Sequence, residues 1–183
     1  MTLERLSQDV ESMITEEQIR ERLAELGKEI TETYQGQPLT LIVILKGSFV
    51  FAADIARHID LPLAIDFIGV SSYGDSTKSS GVVRITQDLS KPIEGRHVLV
   101  VEDIVDTGLT MEYLLDNLKS RHPTSLKVCS LLEKPSRAIH KIEIDFLGFT
   151  IPDAFVVGYG LDFAERYRNL PFIGVLKKEA RHD

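Results

Sequence analysis

The sequence has few of the features that mark secreted or membrane proteins. Cys129 is the only cysteine among 183 residues, which excludes an internal disulfide and suits a reducing compartment. The longest strictly aliphatic run, Leu41 to Leu45, is five residues long, whereas a membrane-spanning helix needs about 20. The N-terminus carries no apolar stretch of the kind found in signal peptides. We therefore expect a cytoplasmic protein with no membrane partner.

Basic residues are also fewer than acidic ones. The chain has 21 Lys and Arg residues against 28 Asp and Glu residues, which gives a formal net charge of −7. This acidity argues against a broad nucleic-acid-binding surface, because such a surface needs an excess of basic side chains. No nucleic-acid partner is expected.

Several common site signatures are absent as well. Neither a Walker A motif nor Gly-x-Gly-x-x-Gly occurs, so nucleoside triphosphate and dinucleotide binding lose their usual support. The five histidines form no pair at metal-ligand spacing, which leaves a zinc site without support. Internal repeats and flexible linkers are also missing, and this favours a single domain over residues 1–183.

Apolar patterns predict alternating helices and strands. A helix is expected from Glu16 to Tyr34, because apolar residues recur every three or four positions and Thr15 and Gln18 fit a capping box. Further helices are predicted over 48–59 and 110–121, strands over 39–45, 63–69, 81–87, 97–101 and 125–132, and shorter apolar runs at 144–149, 154–158 and 172–176. The alternation indicates an α/β fold with a mainly parallel sheet. Residues 71–81, rich in Ser and Gly, are predicted to form a mobile loop.

The most informative segment follows the predicted strand 97–101 and runs from Glu102 to Thr110, with the sequence EDIVDTGLT. We expect the strand to stop at its first two carboxylates, and ligands of parallel sheets bind beyond the carboxyl ends of strands. Gly108 allows a tight turn there. The unpaired N–H groups at the start of the next helix favour a phosphate.

Three carboxylates, those of Glu102, Asp103 and Asp106, lie beside this predicted phosphate site. They are compatible with it if sugar hydroxyls donate to them and if Mg²⁺ bridges carboxylates, hydroxyls and a second phosphate group. Thr107 and Thr110 add hydroxyl donors. A ligand with a phosphate, a diol and a Mg-bound pyrophosphate would suit this arrangement. The alternative is a helix whose acidic first residues only complement its dipole.

This segment resembles the phosphoribosyl pyrophosphate signature of the type I phosphoribosyltransferases. From Leu39 to Val175 the chain resembles the hypoxanthine (hypoxanthine-guanine) phosphoribosyltransferases of bacteria, with four other motifs in matching order. The resemblance implies a mainly parallel twisted sheet flanked by helices, a small hood region, and a mobile lid loop over about 71–86 that contains Ser72 and Tyr73. It also implies Mg²⁺ as cofactor and a homodimer or homotetramer.

The resemblance further implies transfer of 5-phosphoribosyl from phosphoribosyl pyrophosphate to N9 of hypoxanthine or guanine, giving IMP or GMP and pyrophosphate. Asp106 corresponds to the general base at purine N7, and Glu102 and Asp103 correspond to residues that hold the ribose hydroxyls and the first Mg²⁺. The remaining phosphoribosyl contacts would come from Thr107, Gly108, Leu109 and Thr110. Leu109 stands where longer relatives often have a basic residue, but its backbone N–H can still serve the 5′-phosphate.

The pyrophosphate and purine sites are implied in the same way. Lys46, Gly47 and Arg168 correspond to pyrophosphate contacts, and a non-proline cis peptide is implied between Leu45 and Lys46.

On the purine side, Lys134 matches a lysine that donates to the 6-oxo oxygen, and Phe155 an aromatic ring that stacks on the base. The backbone of Val156 would read the base edge, and Asp162 matches a ligand of a second Mg²⁺. No ligand role is assigned to Arg137.

Two other functions remain open. One is a binding module with this fold that senses phosphoribosyl pyrophosphate and regulates RNA or DNA, although the net charge of −7 weighs against it. The other is a transferase for a different base such as xanthine, because contacts at purine C2 come partly from backbone carbonyls that side-chain identity does not reveal.

Overall fold

The computed structural model describes residues 3–72, 83–177 and 180. Its elements, in chain order, are α1 (Leu3–Gln8), β1 (Val10–Ile14), α2 (Glu16–Thr33), β2 (Leu39–Leu45), α3 (Phe49–His58), β3 (Leu63–Ser72), β4 (Val83–Gln87), β5 (His97–Val105), α4 (Leu109–Lys119), β6 (Ser125–Glu133), a 3₁₀ turn (Pro135–Arg137), β7 (Phe146–Thr150), β8 (Val156–Val157) and β9 (Ile173–Leu176). None of the helices in these ranges is long and apolar enough to cross a membrane.

Six strands form the main sheet in the order β4-β3-β2-β5-β6-β7. Among the described residues, β3, β2, β5, β6 and β7 run parallel to one another, whereas β4 at the edge is antiparallel to β3. The predicted α/β fold with a mainly parallel sheet is confirmed.

Strand β2 lies inside the sheet and has both faces covered. Its odd-numbered residues Leu41 and Val43 belong to a core with α2 and α3. Its even-numbered residues Ile42 and Ile44 belong to a second core with α4. A continuous apolar run is typical of such a strand, which explains why the predicted bounds of β2 are confirmed.

The first turn of α2 forms the predicted capping box. The backbone N–H of Gln18 donates to the Thr15 hydroxyl at 3.2 Å, and the N–H of Thr15 donates to the Gln18 side chain at 2.8 Å. These bonds satisfy two donors that the helix itself leaves free. The helix ends at Thr33, one residue before the predicted end, with Tyr34 as its C-cap.

A second sheet consists of β1, β9 and β8, in that order and all antiparallel. We call it the hood, and it is the small region that the family resemblance implies. The sequence pattern does not predict β1, because Glu11 and Ser12 separate its buried ends Val10 and Ile14.

Strand β5 is longer than predicted, and the predicted end at residue 101 is wrong. It does not stop at residue 101 but continues to Val105, so Glu102 and Asp103 lie within the strand. The cause is the neighbouring strand β6, which pairs with β5 as far as Val105 opposite Glu133. The helix that follows begins at Leu109 instead of Thr110.

The two ends of the predicted lid are strands. Strand β3 extends beyond the predicted Gly69 to Ser72, where it pairs with Val83 at the start of β4. Tyr73 lies outside the described residues.

Candidate active site

A cleft of about 460 Å³ opens beyond the carboxyl ends of the parallel strands. It gathers residues from the loop after β2, the end of β5, the end of β6 and the hood. Its lining residues are Leu45, Lys46, Gly47, Val70, Asp103, Ile104, Asp106, Lys134, Phe155, Val156, Leu161, Asp162, Glu165 and Arg168. The predicted pyrophosphate and purine contacts therefore face one space.

A smaller pocket of about 120 Å³ shares Asp106 with this cleft. It is lined by Glu102, Ile104, Val105, Asp106, Thr107, Gly108, Thr110 and Met111. Its position at the start of α4 suits a phosphate, because the first N–H groups of a helix have no partner within the helix. Leu109 is the one residue of the predicted phosphate turn that does not line this pocket.

Gly108 makes the turn between β5 and α4. Its φ of +83° lies in the left-handed region, which side chains other than glycine rarely adopt. A β-carbon here would also lie 2.2 Å from the carbonyl oxygen of His140. The N–H groups of Ile139 and His140 both donate to the carbonyl of Thr107 at 3.0 Å. Residues 139–140 therefore support the predicted phosphate turn from behind.

Glu102 and Asp103 form an acidic pair at the edge of the two cavities. Burial raises the pKa of Glu102 well above its ordinary value, and the neighbouring charge of Asp103 raises it further. Burial also raises the pKa of Asp103 to about 6, although Asp103 accepts a hydrogen bond from the N–H of Ile104 at 2.8 Å. Among the described groups, none donates to the enclosed Oε2 of Glu102. A cation or hydroxyl donors would satisfy this pair.

The loop after β2 contacts this acidic pair. The peptide bond between Leu45 and Lys46 is cis, as the resemblance implies. The hydroxyl of Ser48 donates to the carbonyl of Ile44. The adjacent Gly47 packs so closely on Asp103 that no β-carbon fits between them.

Lys46 and Arg168 converge on a carboxylate that the sequence does not point to. Lys46 Nζ lies 3.1 Å from Oε1 of Glu165, and Arg168 Nη2 lies 3.5 Å from its Oε2. Arg168 Nη2 also lies 2.8 Å from Asp162 Oδ1. Its Nη1 donates to the carbonyl of Gly160 at 2.8 Å. Both cations predicted to bind pyrophosphate thus already have acidic partners.

The side of the cleft that is predicted to bind the purine contains Lys134, which is only 8% exposed. Its Nζ lies 4.0 Å from Asp153 Oδ1, and Arg137 Nη1 lies 3.8 Å from Asp153 Oδ2. Arg137 Nε donates to Asp106 Oδ1 at 3.2 Å. No ligand role was predicted for Arg137, and the structure places it against the predicted general base.

The side chain of Phe155 is 43% exposed at the mouth of the cleft. Its ring meets that of Phe163 edge-on, with centroids 5.8 Å apart. The next residue, Val156, pairs with Val175 in the hood. An exposed ring fixed at its edge can stack on a planar ligand.

The three predicted Mg²⁺ ligands do not lie together in one cluster. Glu102 and Asp103, predicted for the first ion, are neighbours in β5, whereas Asp162, predicted for a second ion, pairs with Arg168. Over residues 3–72 and 83–177, no group of three or more His, Cys, Asp or Glu side chains is arranged to hold a metal ion.

Comparison with known proteins agrees with this geometry. Residues 11–164 match the family model of the phosphoribosyl transferase domain, and the fold and the site therefore define this class of protein.

Two curated relatives are named hypoxanthine-guanine phosphoribosyltransferase. One, from Mycobacterium avium, is 54% identical over 175 residues, which cover 92% of this chain and 86% of that protein. The other, from Bacillus subtilis (strain 168), is 52% identical over 173 residues, which cover 94% of this chain and 96% of that protein.

A crystal structure of a hypoxanthine phosphoribosyltransferase from Staphylococcus aureus superposes with a TM-score of 0.95, at 46% identity over 100% of both chains. The chain belongs to the hypoxanthine-guanine phosphoribosyltransferase family, and the resemblance found in its motifs is confirmed.

Proposed function

We propose that the chain transfers 5-phosphoribosyl from phosphoribosyl pyrophosphate to N9 of hypoxanthine or guanine, yielding IMP or GMP and pyrophosphate. One observation carries the proposal. Lys46, Asp106, Lys134 and Arg168 come from distant parts of the chain, and all four line the same 460 Å³ cleft beside a phosphate-sized pocket. A phosphorylated sugar with a diphosphate and a purine would occupy both spaces.

The substrate groups are assigned to the cavities by their chemistry. The 5′-phosphate would lie in the pocket at Thr107, Gly108 and Thr110, against the first N–H groups of α4, including that of Leu109. The ribose hydroxyls of the substrate would donate to Glu102 and Asp103, which are acceptors when ionised.

The other substrate groups would lie in the larger cleft. Lys46, Gly47 and Arg168 would contact pyrophosphate. Phe155 would stack on the purine, the backbone of Val156 would meet the base edge, and Lys134 would donate to the 6-oxo oxygen. An amino group at that purine position would present hydrogens to an ammonium, which disfavours adenine.

Mg²⁺ is the cofactor of the proposed reaction. Glu102 and Asp103 would hold a first ion and Asp162 a second. The enclosed Oε2 of Glu102 and the raised pKa of both adjacent carboxyls fit a cation. When bound, Mg²⁺ would supply positive charge that offsets the negative charge of pyrophosphate.

The bond from ribose C1′ to the pyrophosphate oxygen breaks as the bond from C1′ to purine N9 forms. The transition state is loose, with positive charge on the ribose and negative charge on the leaving group. Lys46 and Arg168 stabilise that negative charge. Asp106 accepts the N7 proton of the purine as general base, typically worth a factor of ~10²–10⁴ in rate. The lid with Ser72 and Tyr73 would exclude water from the ribosyl cation.

The assembly is also part of the proposal: one domain over residues 1–183, in the cytoplasm, as a homodimer or homotetramer. Ile65 and Phe67, two residues apart on β3, are 47% and 39% exposed, and Phe49 is 45% exposed. Large apolar side chains at a surface favour a protein partner. Light scattering after size-exclusion chromatography measures the number of subunits.

Initial rates of nucleotide formation test the function, with phosphoribosyl pyrophosphate, Mg²⁺ and hypoxanthine, guanine, xanthine or adenine in parallel. Turnover of hypoxanthine or guanine with little turnover of adenine is expected. Turnover of xanthine alone would change the assigned base. Binding of phosphoribosyl pyrophosphate without turnover of any base would contradict an enzyme and favour the regulatory binding module.

A further inference from the structure

Glu165 lies between the two cations assigned to pyrophosphate. Its Oε1 is 3.1 Å from Lys46 Nζ, and its Oε2 is 3.5 Å from Arg168 Nη2. The side chain also lines the 460 Å³ cleft. A single carboxylate thus uses one oxygen for each cation, as a diphosphate would use two of its oxygens.

The backbone that positions Glu165 has a strained conformation. Ala164 and Glu165 have φ values of +50° and +61°, which residues other than glycine rarely adopt. The turn is closed by Phe163 and Arg166, whose backbones exchange hydrogen bonds of 3.2 and 3.0 Å. The N–H of Glu165 also donates to Asp162 Oδ2 at 2.9 Å. Backbone strain of this kind is concentrated at functional sites.

The charges explain what such a carboxylate does in the ligand-free protein. Lys46 comes from the loop after β2, and Arg168 comes from the segment that connects β8 to β9. Two cations directed at one space repel each other. Asp162 offsets the charge of Arg168, and the carboxylate of Glu165 offsets the repulsion between the two cations because it contacts both. Pyrophosphate carries more negative charge and more acceptor oxygens, so it competes for the same donors.

We propose that Glu165 is an intramolecular competitor of pyrophosphate. It occupies Lys46 and Arg168 in the free enzyme, and the diphosphate group of substrate or product displaces it. This inference rests on the proposed function of those two residues. Its consequence is a weaker apparent affinity for pyrophosphate, because only the fraction of molecules with Glu165 displaced can bind. The returning carboxylate also helps the product pyrophosphate to leave.

Titration calorimetry with inorganic pyrophosphate and Mg²⁺ tests the competition directly. In Glu165→Gln the dissociation constant is expected to fall by about two- to tenfold, the range that two exposed ion pairs allow. The KM for phosphoribosyl pyrophosphate should fall by a similar factor, without a rise in kcat. Glu165→Asn is a second neutral variant, since Asn adopts positive φ more readily than Glu. Glu94→Gln, in the exposed turn before β5, removes the same charge elsewhere and should change neither constant.

A double-variant cycle asks whether the effect passes through Lys46. In a Lys46→Met background, Glu165→Gln should tighten pyrophosphate binding by a clearly smaller factor than in the native background. The inference is overturned if folded Glu165→Gln and Glu165→Asn bind pyrophosphate no more tightly than the native protein. It is also overturned if Glu94→Gln gives the same gain, or if the gain persists undiminished in Lys46→Met. A native protein that neither forms nucleotide nor binds pyrophosphate would overturn the proposed function as well.

Discussion

Gly47 and Asp103 are in direct contact at the floor of the cleft, where a β-carbon on Gly47 would lie 1.6 Å from Asp103 Oδ2. Gly47 lies in the loop after β2, and Asp103 lies in β5. Strands β2 and β5 are adjacent in the sheet. The loop after β2 and the acidic pair therefore fix each other's position. Any side chain at residue 47 must move one of them.

Gly47→Ala should reduce kcat/KM for phosphoribosyl pyrophosphate by about 100-fold, because displacement of a positioned group by ~1 Å can have an effect of this size. Steady-state kinetics measure it. Gly36→Ala is the control for backbone strain outside the cleft, since its φ of +76° disfavours alanine but a β-carbon there meets nothing within 4 Å. It should leave kcat/KM unchanged. Native-like kcat/KM in Gly47→Ala would show that the contact does not position the site.

Lys134→Met should reduce kcat/KM for hypoxanthine by about 10- to 100-fold, the typical value of a hydrogen bond from a charged donor. Discrimination against adenine should narrow at the same time, because the ammonium no longer opposes a 6-amino group. Rates with both bases measure this. Lys141→Met, at an exposed position, is the matched control. An unchanged ratio of hypoxanthine to adenine turnover would remove Lys134 from base recognition.

Glu102→Gln should stabilise the ligand-free protein while it weakens binding of phosphoribosyl pyrophosphate. Burial raises the pKa of Glu102 above its ordinary 4.5, so ionisation of this group costs folding free energy at higher pH. The variant should have a higher Tm than the native protein at pH 8. This difference in Tm should vanish well below pH 4.5, at about pH 3, where the carboxyl is protonated in both folded and unfolded chains. Thermal unfolding of the native protein and Glu102→Gln at these two pH values measures the difference in Tm. An equal rise in Tm at both pH values would contradict the prediction.

Asp66→Asn should lower stability in a pH-dependent way. Burial raises the pKa of Asp66, but hydrogen bonds from Phe67, Ser90 and Lys91 outweigh it and bring the pKa below 3.8. The partly exposed carboxylate therefore contributes stability above its ordinary pKa, about 0.5 kcal/mol once solvent screening is allowed for. This contribution is lost as the pH falls through the lowered value.

Urea unfolding of native protein and Asp66→Asn tests this, with exposed Asp60→Asn as the control. The difference between native and variant should be full at pH 7 and shrink below about pH 4. A difference that stays constant down to pH 3.5 would exclude the ionised carboxylate as its source.

Local patterns predicted those elements that are determined by neighbours in sequence. Strand β2 is apolar throughout because it is covered on both faces, and the Thr15 cap of α2 depends on residues three positions apart. The end of β5 could not be predicted in this way. Glu102 and Asp103 break the apolar pattern, and only pairing with β6 keeps the strand extended to Val105.

The residues of the site likewise fall into those that local patterns predicted and those that they did not. The predicted contacts with pyrophosphate and purine line the cleft, because motifs at the carboxyl ends of parallel strands meet at one edge of the sheet. Glu165 and Arg137 were not predicted as site residues. They contact Lys46 and Asp106 across 119 and 31 residues of chain, and no local pattern relates such pairs. Their roles follow only from the fold.

The central mechanistic claim is that Asp106 takes the purine proton. Its most direct test is kcat with hypoxanthine for native protein and Asp106→Asn, with IMP binding measured in parallel. The variant should bind IMP with an affinity close to native and lose about 10²–10⁴ in kcat. A kcat close to the native value with unchanged binding would contradict the assignment of Asp106 as general base.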